Sequence, residues 1–316
     1  MTSPMSKSAM LACFVVLLAL AGIPLLEDRH AMDVTVEIMI LALFALSLNT
    51  LIGYSGNVSF GHAAYFAIGG YTNAILLTSY EMPLIVAMPV AILFSMVAAM
   101  FVAWFCTRLT DIYFAMLTLA FAMLVWAILF KWRDMTNGDD GFVGITIPSF
   151  LDGRIPLYYF TLVIVTASIA LLWLICHSAF GKVLVAVREN RTRAGFVGVD
   201  TRRMRWTAFV VAGTFAGIAG SLFALFKSGM YVENAFWTQS AQVLIMTLLG
   251  GMYSFFGPAI GAAVLHLLEI TTNRYTEYWP TVLGVILLVI LLFLPDGLVG
   301  LAQKIRNKVS GGGGAN

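Results

Sequence analysis

Apolar positions in this chain come in long, nearly uninterrupted runs, and polar residues gather in short stretches between them. A helix crossing about 30 Å of hydrocarbon needs roughly 20 apolar residues. Runs of that order lie at 9–26, 34–52, 84–107, 112–130, 157–177, 206–227 and 281–300, with shorter glycine-containing runs at 60–79, 238–250 and 254–270. The pattern predicts an all-α, polytopic membrane helical bundle of about ten transmembrane segments, in a single domain over residues 1–308. No small-x-small cleavage site closes the first run before Glu27, so it reads as a retained span. Ser310 and the glycines that follow it, within 309–316, read as a flexible tail or cloning scar.

Two hydrophilic segments interrupt the runs. Residues 131–156 carry Asn137-Gly138 and Asp140-Gly141, dipeptides that mark tight turns. Residues 178–205 are basic, and Val183, Leu184, Val187, Phe196 and Val199 among the charges predict one or two short amphipathic helices. Sorting charge by loop sets the orientation. With both termini cytoplasmic, 12 of the 18 Lys and Arg and 4 of the 16 Asp and Glu fall inside, a balance of +8 against −6 outside. Cytoplasmic loops favour Lys and Arg, so 178–205 is the expected inner loop and 131–156 the outer one.

Composition narrows the function. Hydrophobic residues make up 60% and charged ones 11%, against roughly 25% charged in soluble domains, and mean hydropathy is +0.92. So few charges cannot clothe a soluble surface, which excludes a soluble enzyme, a disordered chain and a disulfide scaffold. A net charge of +2 gives no concentrated basic face for nucleic acid. Cys13, Cys106 and Cys176 lie in or beside apolar runs without metal-ligand spacing and read as small buried hydrophobes. No phosphate loop, H-E-x-x-H, C-x-x-C or G-x-S-x-G occurs, and His30, His62, His177 and His266 are scattered over different segments. Glu37 and Glu269 fall near outer helix ends, where capping or snorkelling accounts for them. A chain with almost no charge inside its spans and no engine of its own reads as a path driven by another subunit.

Three stretches carry candidate chemistry. The first runs from Gly53 to Ala64 and on to Thr72. Its glycines let backbones approach or break a helix, placing Asn57, Ser59 and His62, with the aromatics Phe60, Tyr65 and Tyr71, beside a possible route for a small, partly apolar solute. Packing by Gly and Ser, with Asn57 capping the next helix, is the alternative. The second, Leu249 to Gly261, echoes the first and contains Gly250, Gly251, Gly257 and Pro258; paired interruptions of this kind point to a transport pathway. The third is the inner loop, Phe180–Asn190 followed by Arg193-Ala194 and Gly198, whose amphipathic pattern suits docking on a cytoplasmic partner.

These stretches, together with Phe114–Ala122, Asn137–Gly141, Phe215–Gly220 and Leu294–Leu298, resemble the LivM-type permease subunit of branched-chain amino acid ABC importers over about residues 35–300. The resemblance implies a multi-pass protein of the bacterial inner membrane, paired with a LivH-like second permease and served by two cytoplasmic ATPases and a periplasmic substrate-binding protein. ATP and Mg would bind the ATPase subunits, with no cofactor, metal or catalytic residue in this chain. Arg188, Glu189, Asn190, Arg193, Ala194 and Gly198 would form the loop that docks on an ATPase. The Glu-Ala-Ala pattern of importer coupling loops is replaced here by Glu189-Asn190-Arg191, so position and amphipathicity carry that assignment. Open beside it are importers of the same family for urea, short amides or aromatic carboxylates, an ATP-independent channel or secondary transporter, and a purely structural membrane subunit.

Overall fold

In hydrocarbon a backbone must satisfy its own hydrogen bonds, which is why long apolar runs fold as helices. The computed structural model describes residues 7–26 and 28–275, with a few positions between 281 and 301, so the expected span at 281–300 lies mostly outside the described residues. The helices are α1 (Lys7–Gly22), α2 (Arg29–Asn49), α3 (His62–Thr78), α4 (Leu84–Cys106), α5 (Asp111–Lys131), α6 (Arg133–Thr136), α7 (Arg154–His177), α8 (Ala179–Glu189), α9 (Arg191–Phe196), α10 (Thr201–Lys227), α11 (Trp237–Gly250) and α12 (Gly257–Tyr275). Among the described residues, five are long and apolar enough to span a membrane: α2 with its extra last turn, α4, α5, α7 and α10. Of the other expected spans, α1, α3 and α11 are shorter, at 16, 17 and 14 residues, and α12 carries Glu269 and Arg274 in its C-terminal half.

The bundle is layered by burial. At its centre α10 packs along α3, α4 and α2, and α2 also meets α7, α11 and α12. Close approach of α3 to α10 depends on missing side chains: a Cβ on Gly69 would strike the backbone of Gly217, and one on Gly220 the Phe66 carbonyl. Polar bonds tie the same seam, with Ser221 Oγ donating to the Gly69 carbonyl at 3.1 Å and Asn73 Nδ2 to the Ser221 carbonyl at 3.3 Å. The outer layer consists of α4, α5 and α7, whose outward faces are large and apolar. Ile85 is 80% exposed, and Phe94, Phe101, Met116, Val163 and Leu174 are also exposed. A soluble protein would not leave so broad an apolar surface in water.

The hydrophilic segments contain the turns and a short amphipathic helix, and 178–205 gives way to α10 at Thr201. Asn137 occupies the left-handed region (φ 59°), and Gly141 follows at φ 69°. Beyond these turns β1 (Phe142–Val143) pairs antiparallel with β2 (Gly229–Met230), tying the outer segment to the end of α10. In the inner loop, α8 buries Gly181, Leu184 and Val187 at helical spacing.

Candidate translocation and coupling site

Helix α2 ends irregularly. Its last turn, Thr50–Tyr54, widens to π geometry, and residues 55–61 then run without helix to His62. That segment turns back into the bundle. His62 Nε2 lies 2.7 Å from Ser47 Oγ, and Ser47 is seven residues before Tyr54, so α3 begins about 10 Å inward from the end of α2. Irregular backbone at such depth survives only where protein satisfies it, and three hydroxyls do so here. Phe60 N donates to Thr118 Oγ1 at 3.2 Å, Gly61 N to Ser59 Oγ at 3.3 Å and Ala63 N to Ser240 Oγ at 2.9 Å. The His62 ring stacks on Phe44 with centroids 5.2 Å apart.

The three candidate stretches, distant in sequence, meet at the inner end of this break. Arg188 of α8 donates through Nη1 to the Gly53 carbonyl, packs on Gly56 and lies 5.3 Å over the Tyr253 ring. Gly53 in turn abuts the Met252 carbonyl, and Asn49 Nδ2 donates to the Ser254 carbonyl at 3.3 Å. Gly251 ends α11 at φ 108°, and a Cβ on Gly250 would collide with the Gly257 backbone. Only glycine lets the chain fold back so tightly between α11 and α12. Pro258 fills the first turn of α12, where its missing N–H costs nothing. Gly297, a described position of the C-terminal segment, rests on Gly251.

A second arginine had no separate sequence signal. Arg205, near the start of α10, is 3% exposed. Its Nε donates to Asn57 Oδ1 at 3.1 Å, Nη1 to the Thr107 carbonyl at 3.3 Å and Nη2 to the Leu109 carbonyl at 2.9 Å, and it lies 5.4 Å over Phe114. It thereby pins the non-helical segment to the α4–α5 turn. Asn57 serves this arginine, and α3 has no side-chain N-cap.

The other pathway candidates spread along the interior. Ser59, His62, Tyr65 and Tyr71 are buried and Phe60 is half-buried. Tyr65 meets Phe209 edge-on at 5.6 Å, and Tyr71 sits nine residues beyond His62, about 13 Å further along α3. Within the inner loop, Asn190 Oδ1 caps α9 through Arg193 N at 2.8 Å, and Ala194 is buried. Glu189, Asn190, Arg193 and Gly198 are exposed. Beside them Phe196 and Val197 are 87% and 84% exposed.

Comparison with known proteins agrees with this architecture. The family profile described as branched-chain amino acid transport system / permease component matches residues 31–294. The high-affinity branched-chain amino acid transport system permease protein LivM of Escherichia coli (strain K12) is 28% identical over 94% of this chain and 77% of its own length. The corresponding LivH of Salmonella typhimurium is 24% identical over 82% of this chain and 91% of its own. A probable LivM of Methanocaldococcus jannaschii is 26% identical over 81% and 89%. No solved structure matches the chain. With apolar helices long enough to span a membrane and a profile covering most of its length, the chain belongs to the family of permease components of branched-chain amino acid transport systems, as a multi-pass, LivM-type membrane subunit.

Proposed function

We propose that this chain is one of two permease subunits of an ATP-driven importer in a bacterial inner membrane, both termini cytoplasmic, carrying branched-chain or other hydrophobic amino acids. A LivH-like permease completes the pathway, a periplasmic binding protein delivers solute, and two ATPase subunits hold ATP and Mg. The chain itself carries no phosphate-loop motif.

The observation that carries this reading is the two-sided inner loop. Its outward side exposes Glu189, Asn190, Arg193 and the apolar pair Phe196 and Val197, a combination that suits a protein partner in the cytoplasm. Its inward side reaches the helix breaks through Arg188. Movement of a docked ATPase would pull on α8, and Arg188 would carry that displacement to the Gly53–Gly56 turn and the Gly251–Ser254 turn. Alternation between outward and inward openings then arises from rigid segments moving about those breaks. Within the breaks, Asn57, Ser59, Phe60 and His62, with Tyr65 and Tyr71 above and Gly250, Gly251, Gly257 and Pro258 opposite, are the proposed pathway elements.

Exchanging the charges in Arg188→Glu with Glu189→Arg tests the link. Substrate-stimulated ATPase activity of the assembled transporter is expected to fall about tenfold, as for a coupling loss of about 1.4 kcal/mol, while membrane insertion and yield stay normal. Unchanged stimulation removes these two residues from the coupling route.

A further inference from the structure

Where α4 ends and α10 begins, two arginines from distant parts of the sequence meet at one exposed ring. Arg108 Cζ lies 5.1 Å and Arg202 Cζ 5.4 Å from the ring centroid of Trp104, which is 55% exposed. Like charges on long, flexible stems move apart in water unless something draws them together. The carboxylates nearest in sequence do not serve. Asp200 is taken by Arg203 at 2.9 Å, and exposed Asp111 forms no ion pair among the described residues. The indole face offsets part of the positive charge. Among the described residues the guanidinium N–H groups of Arg108 and Arg202 meet no protein acceptor, so their donors point to an anion from outside the chain.

The site is held from beneath. Buried Arg205 donates to the carbonyls of Thr107 and Leu109, the residues on either side of Arg108, and follows Arg202 by one turn of α10. The backbone that presents Arg108 is thereby fixed to the helix that presents Arg202. Below the charges, Phe101, Trp104, Phe105 and Arg108 recur at helical spacing on one face of α4 and the turn that closes it. Phenyl rings give way to indole and then to guanidinium over about 10 Å. Phe101 and Phe105 are exposed, pack at 5.2 Å and rest on Phe121 of α5. This order matches a bilayer leaflet, with hydrocarbon, then the level that indoles favour, then charge.

We propose that Arg108 and Arg202, gathered on the Trp104 ring, bind the phosphate of an anionic phospholipid whose acyl chains lie on Phe101 and Phe105. The phosphate diester accepts charge-assisted hydrogen bonds from both guanidiniums and removes their repulsion. A choline lipid brings its own cation to the same place and gains less. The inference goes beyond the importer reading and needs only the membrane setting.

The test uses the full chain purified with its permease partner in an uncharged maltoside detergent, with thermal unfolding and native mass spectrometry as readouts. Phosphatidylglycerol is expected to raise the melting temperature by about 2–4 °C and to remain as a discrete adduct, whereas phosphatidylcholine and glycerol 1-phosphate do neither. Arg108→Gln with Arg202→Gln should weaken the apparent affinity for phosphatidylglycerol about tenfold, through the loss of both charge-assisted bonds. Trp104→Leu, which keeps apolar bulk but removes the shared ring, should weaken it as well, and Lys131→Gln at the far end of α5 should bind like wild type. Melting without lipid reports separately on whether each variant folds. An equal shift with phosphatidylcholine, or unaltered affinity in both the double variant and Trp104→Leu, would overturn the site. A full shift with glycerol 1-phosphate would overturn the lipid assignment in favour of a free phosphate ester. A shift in this chain alone that disappears in the permease pair would overturn it in favour of a subunit contact.

Discussion

Arg205 shows how much one side chain holds in place. A buried guanidinium is costly unless its donors are used, and this one spends them on Asn57 and two carbonyls of the α4–α5 turn, with no carboxylate ion-paired to it among the described residues. Arginine suits this geometry because its planar fork reaches several acceptors at once, which the single ammonium of lysine cannot. Arg205→Met strands those three acceptors and should lower stability by about 3 kcal/mol, read as thermal unfolding in detergent. Arg205→Lys should recover only part of that loss, and a lysine variant as stable as wild type would show that charge alone matters at this position. Charge counting puts Arg205 at the end of a positive loop, whereas the structure places it in the second turn of α10, and the count treats it like exposed Arg202 or Arg203. What sets it apart is 3% exposure and partners 96 to 148 residues away, which no local pattern encodes.

At the scale of elements, the defining feature is the break between α2 and α3. Its existence was legible in the sequence, because Gly, Ser and Asn cluster between two apolar runs and none of them favours uninterrupted helix. Its depth was not. The apolar run at 60–79 has the composition of a full span, whereas α3 starts at His62 beside Ser47, with its leading backbone held by hydroxyls from Ser59, α5 and α11. Those hydroxyls look like ordinary small residues of a packed helix until the fold brings them to the break. Thr118→Val orphans the part-buried Phe60 N–H and Ser240→Ala the buried Ala63 N–H, and each should cost about 1–3 kcal/mol, the second more than the first. Because both support one turn, their combined effect should depart from the sum of the single losses in a double-mutant cycle. Strict additivity would mean that the two bonds hold independent structures. The apolar pattern of 178–205 predicts one or two short amphipathic helices; α8 keeps Leu184 and Val187 on its buried face, whereas Phe196 at the end of α9 is exposed.

For the whole molecule, few charges and many apolar residues produce a bundle whose centre is polar where backbones break and whose outer face is apolar where helices are continuous. From the charge asymmetry, the inner loop is expected in the cytoplasm and the β-tied segment around Asp139 on the opposite side. Single cysteines test this in a chain with Cys13 replaced by Ser, since Cys106 and Cys176 are buried. Val197→Cys should react with a membrane-impermeant maleimide only in inverted vesicles, and Asp139→Cys only in right-side-out ones. The pairing of Glu37 with Lys227, 190 residues apart, is legible in no local pattern, because Glu37 alone reads as a capping or snorkelling residue near a helix end. The central claim is that this chain is a path whose motor lies in other subunits. Uptake of radiolabelled leucine into proteoliposomes tests it most directly. Uptake should require the partner permease, the ATPases, the binding protein and ATP together; comparable uptake by this chain alone, without ATP, would contradict the account.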